Sequence, residues 1–257
     1  YSSAAVSKPT FIDIEDASWM WGILITDKDR VSTTGICNFP SHMGSLNYGY
    51  ASVGGWRRIS PKLYNQIPES DVRKGWFLDD TGVSVNLPAA AQAYITKKGA
   101  PVYTQVKYGP MNDEWGSNNN ATDVILMRVE EMYLIKAEAQ AMNNDVSGGV
   151  NTLNSFVNTY RDPSYKCTAT TGEAVQEAVW HQRRIEFWGE GLAYFDIMRL
   201  NKGVNRLGCG FPKTAVFNIA AGDPVQIYSI PNKEVQYNPL LENNPLVSAP
   251  TPIPDEE

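Results

Sequence analysis

The sequence predicts a mostly α protein: a tetratricopeptide-like helical scaffold carrying a loop-rich, short-stranded elaboration. Apolar residues recur at helical spacing from "NNNATDVILMRVEEMYLIKAEAQAMNN" onward, in a stretch that runs to Leu200. A helical hairpin of about 34 residues followed by another helix is the unit of a tetratricopeptide-type solenoid, which buries its apolar faces only by stacking on neighbours. The residues before that stretch are instead rich in Gly, Pro, Asn, Ser and Thr.

The chain has 257 residues, enough for one large domain or two small ones. Three segments are expected: 1–120, loop- and strand-rich; 121–203, tetratricopeptide-like helices; and 204–257, an extended segment packing on the scaffold. In the first, "WMWGILIT" (Trp19 to Thr26) reads as a strand. The interruptions at Pro88 and Pro101 and the alternation of Val102, Thr104 and Val106 predict short extended pieces, with "AYIT" among them.

The first long helix is expected over 122–143, capped by Thr122 or Asp123, with Ile125, Val129, Met132 and Ala139 along one face. A second is expected over 148–160 after the Gly148-Gly149 break, with Val150, Leu153, Val157 and Tyr160 on its face and Pro163 just past its end. Thr170-x-x-Glu173 has the capping-box pattern and announces a third, over 172–200, with Ile185, Trp188, Leu192 and Phe195 facing inward. The close combines a strand-like "VQIYSIP" with a Pro- and Asn-rich tail. Solenoids need about three repeats for stability and roughly one to two are present, so helices are expected upstream and the chain, which opens on Tyr1, reads as a fragment.

Composition excludes several classes. There are 28 acidic against 22 basic residues, a formal charge of -6, and no polybasic run, so the field repels phosphate backbones and nucleic acid is not an expected partner. No apolar run approaches the roughly 18 residues of a membrane span. Cys37, Cys167 and Cys209 form no C-x-x-C pair, and His42 and His181 no H-E-x-x-H, so no zinc site is expected; no glycine-rich phosphate loop is present and no cofactor is expected, while calcium at the Asp- and Asn-rich loops is left open. A Cys167–Cys209 disulfide is permitted but not required.

"RRIEFWGEGLAYFDIMRL" (Arg183 to Leu200) carries the densest charge. Glu186 and Glu190 stand four apart on one predicted helix, with Cβ atoms about 6 Å apart. That separation resembles a retaining glycosidase pair, whose carboxyl groups lie about 5 Å apart. Yet both side chains would leave one helix in nearly the same direction, whereas acid and nucleophile must approach a sugar from different sides. A structural ion network of Arg183, Glu186, Glu190, Asp196 and Arg199 is the expectation, with Arg183–Glu186 and Asp196–Arg199 as i,i+3 partners. Gly189 and Gly191 each cost a helix interior about 1 kcal/mol, which points to a backbone packed close by.

Four blocks carry a family resemblance. "RRIEFWGEGLAYFDIMRLNKG", "LMRVEEMYLIKAEAQAM", "ISPKLYNQIPESDVRKGWF" and "IYSIPNKEVQYNPLLENNP" resemble, in order and spacing, the motifs of the C-terminal part of SusD/RagB family proteins, surface glycan-binding lipoproteins of Gram-negative bacteria. The resemblance implies a SusD-like α/α superhelix and no enzymatic activity. It also implies capture of oligosaccharides and their delivery to a TonB-dependent (SusC-like) transporter at the cell outer membrane, with membrane attachment only through a lipid anchor on an N-terminal part not seen in this chain. The signature helix would then be scaffold.

Sugar recognition would fall to aromatic side chains on loops, whose flat faces stack on pyranose C–H groups. "NFPSHMGSLNYGYASVGGW", within the stretch from Val31 to Trp56, sets Phe39, Tyr48, Tyr50 and Trp56 among glycines and small polar residues. Trp115, in "MNDEWGSNNN", is a further candidate. Two rival readings remain: a protein-interaction module that touches no sugar, and a glycoside hydrolase using Glu186 and Glu190.

Overall fold

A computed structural model describes residues 1–29, 38–245 and 247–253; Val31 and Cys37 lie outside them. The protein is mostly helical, as predicted, and its chain forms two compact units, Tyr1–Glu190 and Gly191–Glu257. This division falls inside the charged stretch.

In the first unit, short helices α1 (Ser3–Val6), α2 (Phe39–Met43) and α3 (Pro61–Tyr64) precede α4 (Ala89–Lys97). Helix α4 replaces the extended piece expected at "AYIT". Three alanines after Pro88 are strong helix formers and Ala91 and Ile95 are buried, so the alanine run outweighs the prolines. The extended reading survives just beyond, as isolated antiparallel bridges Arg58 to Thr104 and Phe77 to Gln105.

Strand β1 (Trp19–Ile23) pairs antiparallel with β2 (Val124–Arg128), Trp19 opposite Arg128 and Ile23 opposite Val124. The helix expected from Thr122 therefore begins seven residues later, as α5 (Val129–Met142). β-branched Val124 and Ile125 suit a strand once a partner exists. Asp123 caps no helix: its carboxylate accepts from the backbone N–H groups of Ile14 and Ile25, each at 2.8 Å. The buried face of α5 is correspondingly Leu134, Ala137 and Ala141, while Val129 and Ala139 are exposed and Met132 is half-buried.

Helix α6 (Val146–Tyr160) starts two residues before the expected position, because Asp145 caps it by accepting from Gly148 N at 2.9 Å. Gly148 and Gly149 thus lie in its first turn. Gly149 serves close packing: a Cβ there would sit 2.7 Å from the Ala137 carbonyl oxygen and 2.9 Å from the Ala141 Cβ. Gly149→Val is expected to cost about 1–3 kcal/mol by forcing α5 and α6 apart. A thermal melt reads this, and an unchanged midpoint would contradict the close approach.

Helix α7 (Gly172–Glu186) packs on α5 and α6 to complete the tetratricopeptide-like layer. Its cap is Thr171, one residue after the capping-box threonine; the hydroxyl accepts from Ala174 N at 3.2 Å. The single helix expected over 172–200 is interrupted. Gly189 and Gly191 take φ of +80° and +83°, a left-handed conformation that ends α7 and leaves α8 (Ala193–Arg199) to the second unit. The expected inward face is broken with it. Ile185 is buried and Trp188 packs half-buried on the core, but Leu192 is only half-buried and Phe195 is 65% exposed.

Phe11, Ile59, Ile67, Trp76, Phe77 and Ile185 lie at the centre of one hydrophobic cluster. Leu46, Leu78, Ala91, Ile95 and Val106 form another. The second unit holds α8, a two-residue pairing of β3 (Val204–Asn205) with β4 (Asn218–Ile219), and α9 (Asn232–Tyr237). The strand expected at "VQIYSIP" is absent; Asp223 accepts from Val225 N at 2.9 Å and tightens Pro224–Gln226 into a 3-10 turn. Cys167 and Cys209 are free thiols.

Candidate functional site

The aromatic loop is shaped by its small residues. Asn38 caps α2 by accepting from Ser41 N at 2.9 Å, and its amide donates to the Asn120 carbonyl at 3.0 Å. Asn120 in turn donates to the Tyr48 carbonyl at 3.2 Å, and Tyr48 N donates to Ser117 O at 2.7 Å. Gly49 has no room for a side chain, since a Cβ would lie 2.9 Å from the Ser41 backbone. The backbone beneath the two tyrosines is thus fixed, and their rings project outward.

Tyr48 is 48% exposed and Tyr50 44%. Tyr50 stacks on His42, with centroids 4.9 Å apart and planes 28° apart, while the Arg57 guanidinium lies 5.6 Å from its centroid. The Lys98 ammonium lies 5.8 Å from the Tyr48 centroid and 5.7 Å from that of Tyr94. Two partly exposed aromatic rings are therefore bordered by hydrogen-bond donors, a combination suited to a sugar ring and its hydroxyls. Nothing in the sequence pattern points to His42, Tyr94, Arg57 or Lys98 as neighbours of these rings; only the folded loop brings them there.

The other aromatic candidates are placed differently. Trp56 is half-buried against the Leu46–Ile95 cluster, two residues along the chain from Gly54, in the same loop as Tyr50. Phe39 turns its edge to Tyr108, 5.7 Å away at 89°, and packs on the larger cluster. Trp115 borders a cleft of about 350 Å³ with Pro9, Val85, Leu87, Pro88 and Asp113, which Tyr48 and Tyr50 do not line.

The charged stretch sits elsewhere. Glu186, fully buried, accepts on Oε1 from Arg128 (2.6 Å) and Arg161 (2.8 Å), and on Oε2 from Arg161 (2.8 Å) and Arg73 (3.1 Å). Glu190 accepts from Lys107 Nζ (2.5 Å) and from Arg128 Nε and Nη2, each at 2.9 Å. Arg183 reaches Glu131 at 3.0 Å, whereas Arg199 holds Asp196 at 2.8 Å within the second unit. The partners of Glu186 and Glu190 therefore come from distant segments, and Arg73, Lys107, Arg128 and Arg161 were not anticipated. Asp71 completes the cluster by pairing with Arg73 at 2.6 Å.

Burial pushes the Glu186 carboxyl upward, but the guanidinium groups of Arg161 and Arg128 more than reverse this and hold it well below the usual range. The carboxylate is ionised and its lone pairs are engaged, leaving no proton to give and no open face for a sugar. Lys107 closes the C-terminal end of α7, donating to the carbonyls of Glu186 (3.0 Å) and Trp188 (3.1 Å). Its burial among Phe11, Trp76 and Tyr108 lowers its pKa to about 8 despite Glu190. The unfolded lysine keeps its proton to higher pH, so from about pH 8 upward the folded state is relieved of a desolvated charge and gains relative stability. The melting difference between wild type and Lys107→Met should consequently shift in favour of wild type as pH rises above about 8. A difference independent of pH would contradict this.

Residues 68–246, more than half of the chain, match the model of the SusD family. The chain belongs to the SusD family. A SusD superfamily protein from Bacteroides thetaiotaomicron superposes with a TM-score of 0.71 at 22% identity, over 96% of this chain and 52% of its own. A SusD-like carbohydrate binding protein from Bacteroides vulgatus gives 0.61 at 23%, over 91% of this chain and 42% of its own. Another SusD superfamily protein from Bacteroides vulgatus gives 0.66 at 19%, over 90% and 46%. At these identities the likeness establishes the SusD fold, and the chain spans about half the length of these solved relatives. No curated protein matches it. Among the described residues no helix is long and apolar enough to cross a membrane, and no group of three or more His, Cys, Asp or Glu side chains could hold a metal ion.

Proposed function

We propose that this SusD family member binds oligosaccharides through the exposed rings of Tyr48 and Tyr50, with Trp56 flanking them and Phe39 and Trp115 as outer candidates. The observation that carries this reading is the partly exposed tyrosine pair on a fixed backbone, bordered by His42, Arg57 and Lys98. Trp21, Phe195, Tyr228 and Tyr237 are more exposed than either ring, so what favours Tyr48 and Tyr50 is their pairing in one loop beside hydrogen-bond donors, not exposure alone. The carbohydrate-binding description of one structural relative supports the ligand class. The protein does not turn its glycan over: the two glutamates that could act as acid and nucleophile are committed to buried cations. Delivery to a TonB-dependent transporter at the outer-membrane surface, with attachment through a lipid anchor on the whole protein, rests on family membership.

Titration calorimetry of the full-length protein against a panel of neutral oligosaccharides, with product analysis after incubation, tests this. Binding of at least one glycan without cleavage is expected. Lack of any binding would favour the interaction-module reading, and cleavage abolished by Glu190→Gln would favour a hydrolase.

A further inference from the structure

The Tyr48–Tyr50 loop carries charge as well as rings, and the charge has one sign. Residues 38–68, 81–112 and 117–122, the three segments that build the loop and its border, contain no Asp or Glu, although the whole chain holds 28 of them and a formal charge of -6. The first segment brings Arg57 and Arg58, the second Lys97 and Lys98. Asp113 and Glu114, just before the third, form an ion pair with neither Arg57 nor Lys98.

We propose that this loop selects an acidic oligosaccharide, with the Arg57 guanidinium and the Lys98 ammonium taking a carboxylate or sulfate ester on a sugar that packs against Tyr48. The inference rests on the glycan reading of the loop given above and adds the charge class of the ligand.

The buried cations of the first unit are answered by carboxylates: Arg73 by Asp71, Arg161 by Glu186 and Lys107 by Glu190. Arg57 is not. It is half-buried beside Tyr50, yet among the described residues its side chain donates no hydrogen bond and no carboxylate lies within 4 Å of it. Its neighbour Arg58 does find an acceptor, Nε donating to the Val102 carbonyl at 3.0 Å. The planar fork of Arg57, with its five N–H donors, therefore remains for a bidentate oxyanion. Lys98 is exposed and, among the described residues, pairs with no carboxylate either.

Both cations stand on fixed backbone. The Arg57 carbonyl accepts from Gln105 N at 2.9 Å, and Lys98 N donates to the Tyr94 carbonyl at 3.0 Å, at the C-terminal end of α4. The Tyr94 hydroxyl donates to the Asn47 carbonyl at 3.4 Å, one residue before Tyr48, so the helix end that bears the lysine is tied to the ring it borders. Tyr50, stacked on His42, seats the guanidinium 5.6 Å from its centroid. Tyr48, 48% exposed, offers the surface for the sugar, with the Lys98 ammonium 5.8 Å from its centroid. Two residues separate the rings, a reach of at most about 7 Å, so one oligosaccharide crossing the loop meets both cations. The negative net charge does not undo this at ordinary salt. The Debye length is about 10 Å at 0.1 M, which screens distant carboxylates while leaving groups in contact effective.

The test is calorimetry of the full chain at about 0.1 M salt with two matched pairs: trigalacturonate beside its methyl ester, and a sulfated galactan tetramer beside its desulfated form. At least one acidic member should bind about tenfold or more tightly than its neutral partner, and the pair that shows this distinguishes carboxylate from sulfate. Arg57→Met should remove most of that advantage while leaving the neutral partner within about twofold, and Lys98→Met should act in the same direction. Tyr48→Ala should weaken both members, because the ring contact is common to them. If neither acid binds while a neutral glycan does, if both pairs show equal affinities, or if an acid preference is indifferent to both cation variants, the charge class is overturned and the glycan site stands. Binding of no glycan at all, acidic or neutral, would overturn both.

Discussion

Glu186→Gln is expected to destabilise the protein by about 3–5 kcal/mol, the usual consequence of removing one charge from a buried network. The exchange preserves shape, so the loss is electrostatic. Arg73, Arg128 and Arg161 would remain buried around a neutral amide, one of whose two positions can no longer accept from a guanidinium. The effect has a pH signature. Because the folded carboxyl titrates below its ordinary value of 4.5, its contribution is complete above that pH and is lost as pH falls toward the lower folded value. Wild type should therefore lose part of its advantage over Glu186→Gln on acidification below about pH 4.5. Denaturant melts of both proteins at several pH values measure this, and a difference under about 1 kcal/mol at neutral pH would show the site to be solvated instead.

Tyr50→Ala should act in the opposite sense. Its ring is 44% exposed, and it stacks on His42 beneath Arg57. If it is a stacking platform, truncation should cost about 2 kcal/mol of affinity for a bound oligosaccharide, or roughly thirtyfold in Kd. Stability should change by less than about 0.5 kcal/mol, as for a surface position outside the core. Unchanged affinity for the best ligand would remove Tyr50 from the site and leave the family assignment standing.

The helices of the tetratricopeptide-like layer were legible because Leu153 and Val157 recur on the buried face of α6, and because Gly148-Gly149 marked the hairpin. Boundaries failed where tertiary pairing competed with local preference. Val124 and Ile125 continue a helical pattern, but β1 offers them strand partners far along the chain, Ile23 opposite Val124 and Gly22 opposite Ile125. Nothing local announces that partner. Gly189 and Gly191 are positive-φ residues that interrupt the helix; the close packing expected of them holds at Gly189, where a Cβ would lie 2.6 Å from Met43 Cε, and not at Gly191, which has open space beside it.

The charged stretch was legible as a group of residues and not as a set of contacts. Spacing along one helix suggests i,i+3 partners, yet Glu186 finds Arg73, Arg128 and Arg161 from three other segments. Asp71-x-Arg73, Arg128-x-x-Glu131 and the Arg183–Glu190 stretch are separate blocks of the family pattern that meet in one buried network. Their joint occurrence was the available signal, since buried charges require partners. For the aromatic loop, sequence supplied Tyr48 and Tyr50 but not which rings stay open; Phe39 and Tyr50 look alike in composition, and only packing separates them.

The most direct test pairs calorimetry with thermal melting on wild type, the Tyr48→Ala/Tyr50→Ala double variant and Glu190→Gln, using one oligosaccharide that wild type binds. If the aromatic loop holds the glycan and the charged stretch holds the fold, the double variant should lose at least about a hundredfold in affinity at an unchanged Tm. Glu190→Gln, which strips Lys107 and Arg128 of a buried partner, should lower Tm while leaving Kd within about twofold. Loss of binding in Glu190→Gln at an unchanged Tm, with full affinity in the double variant, would contradict the account.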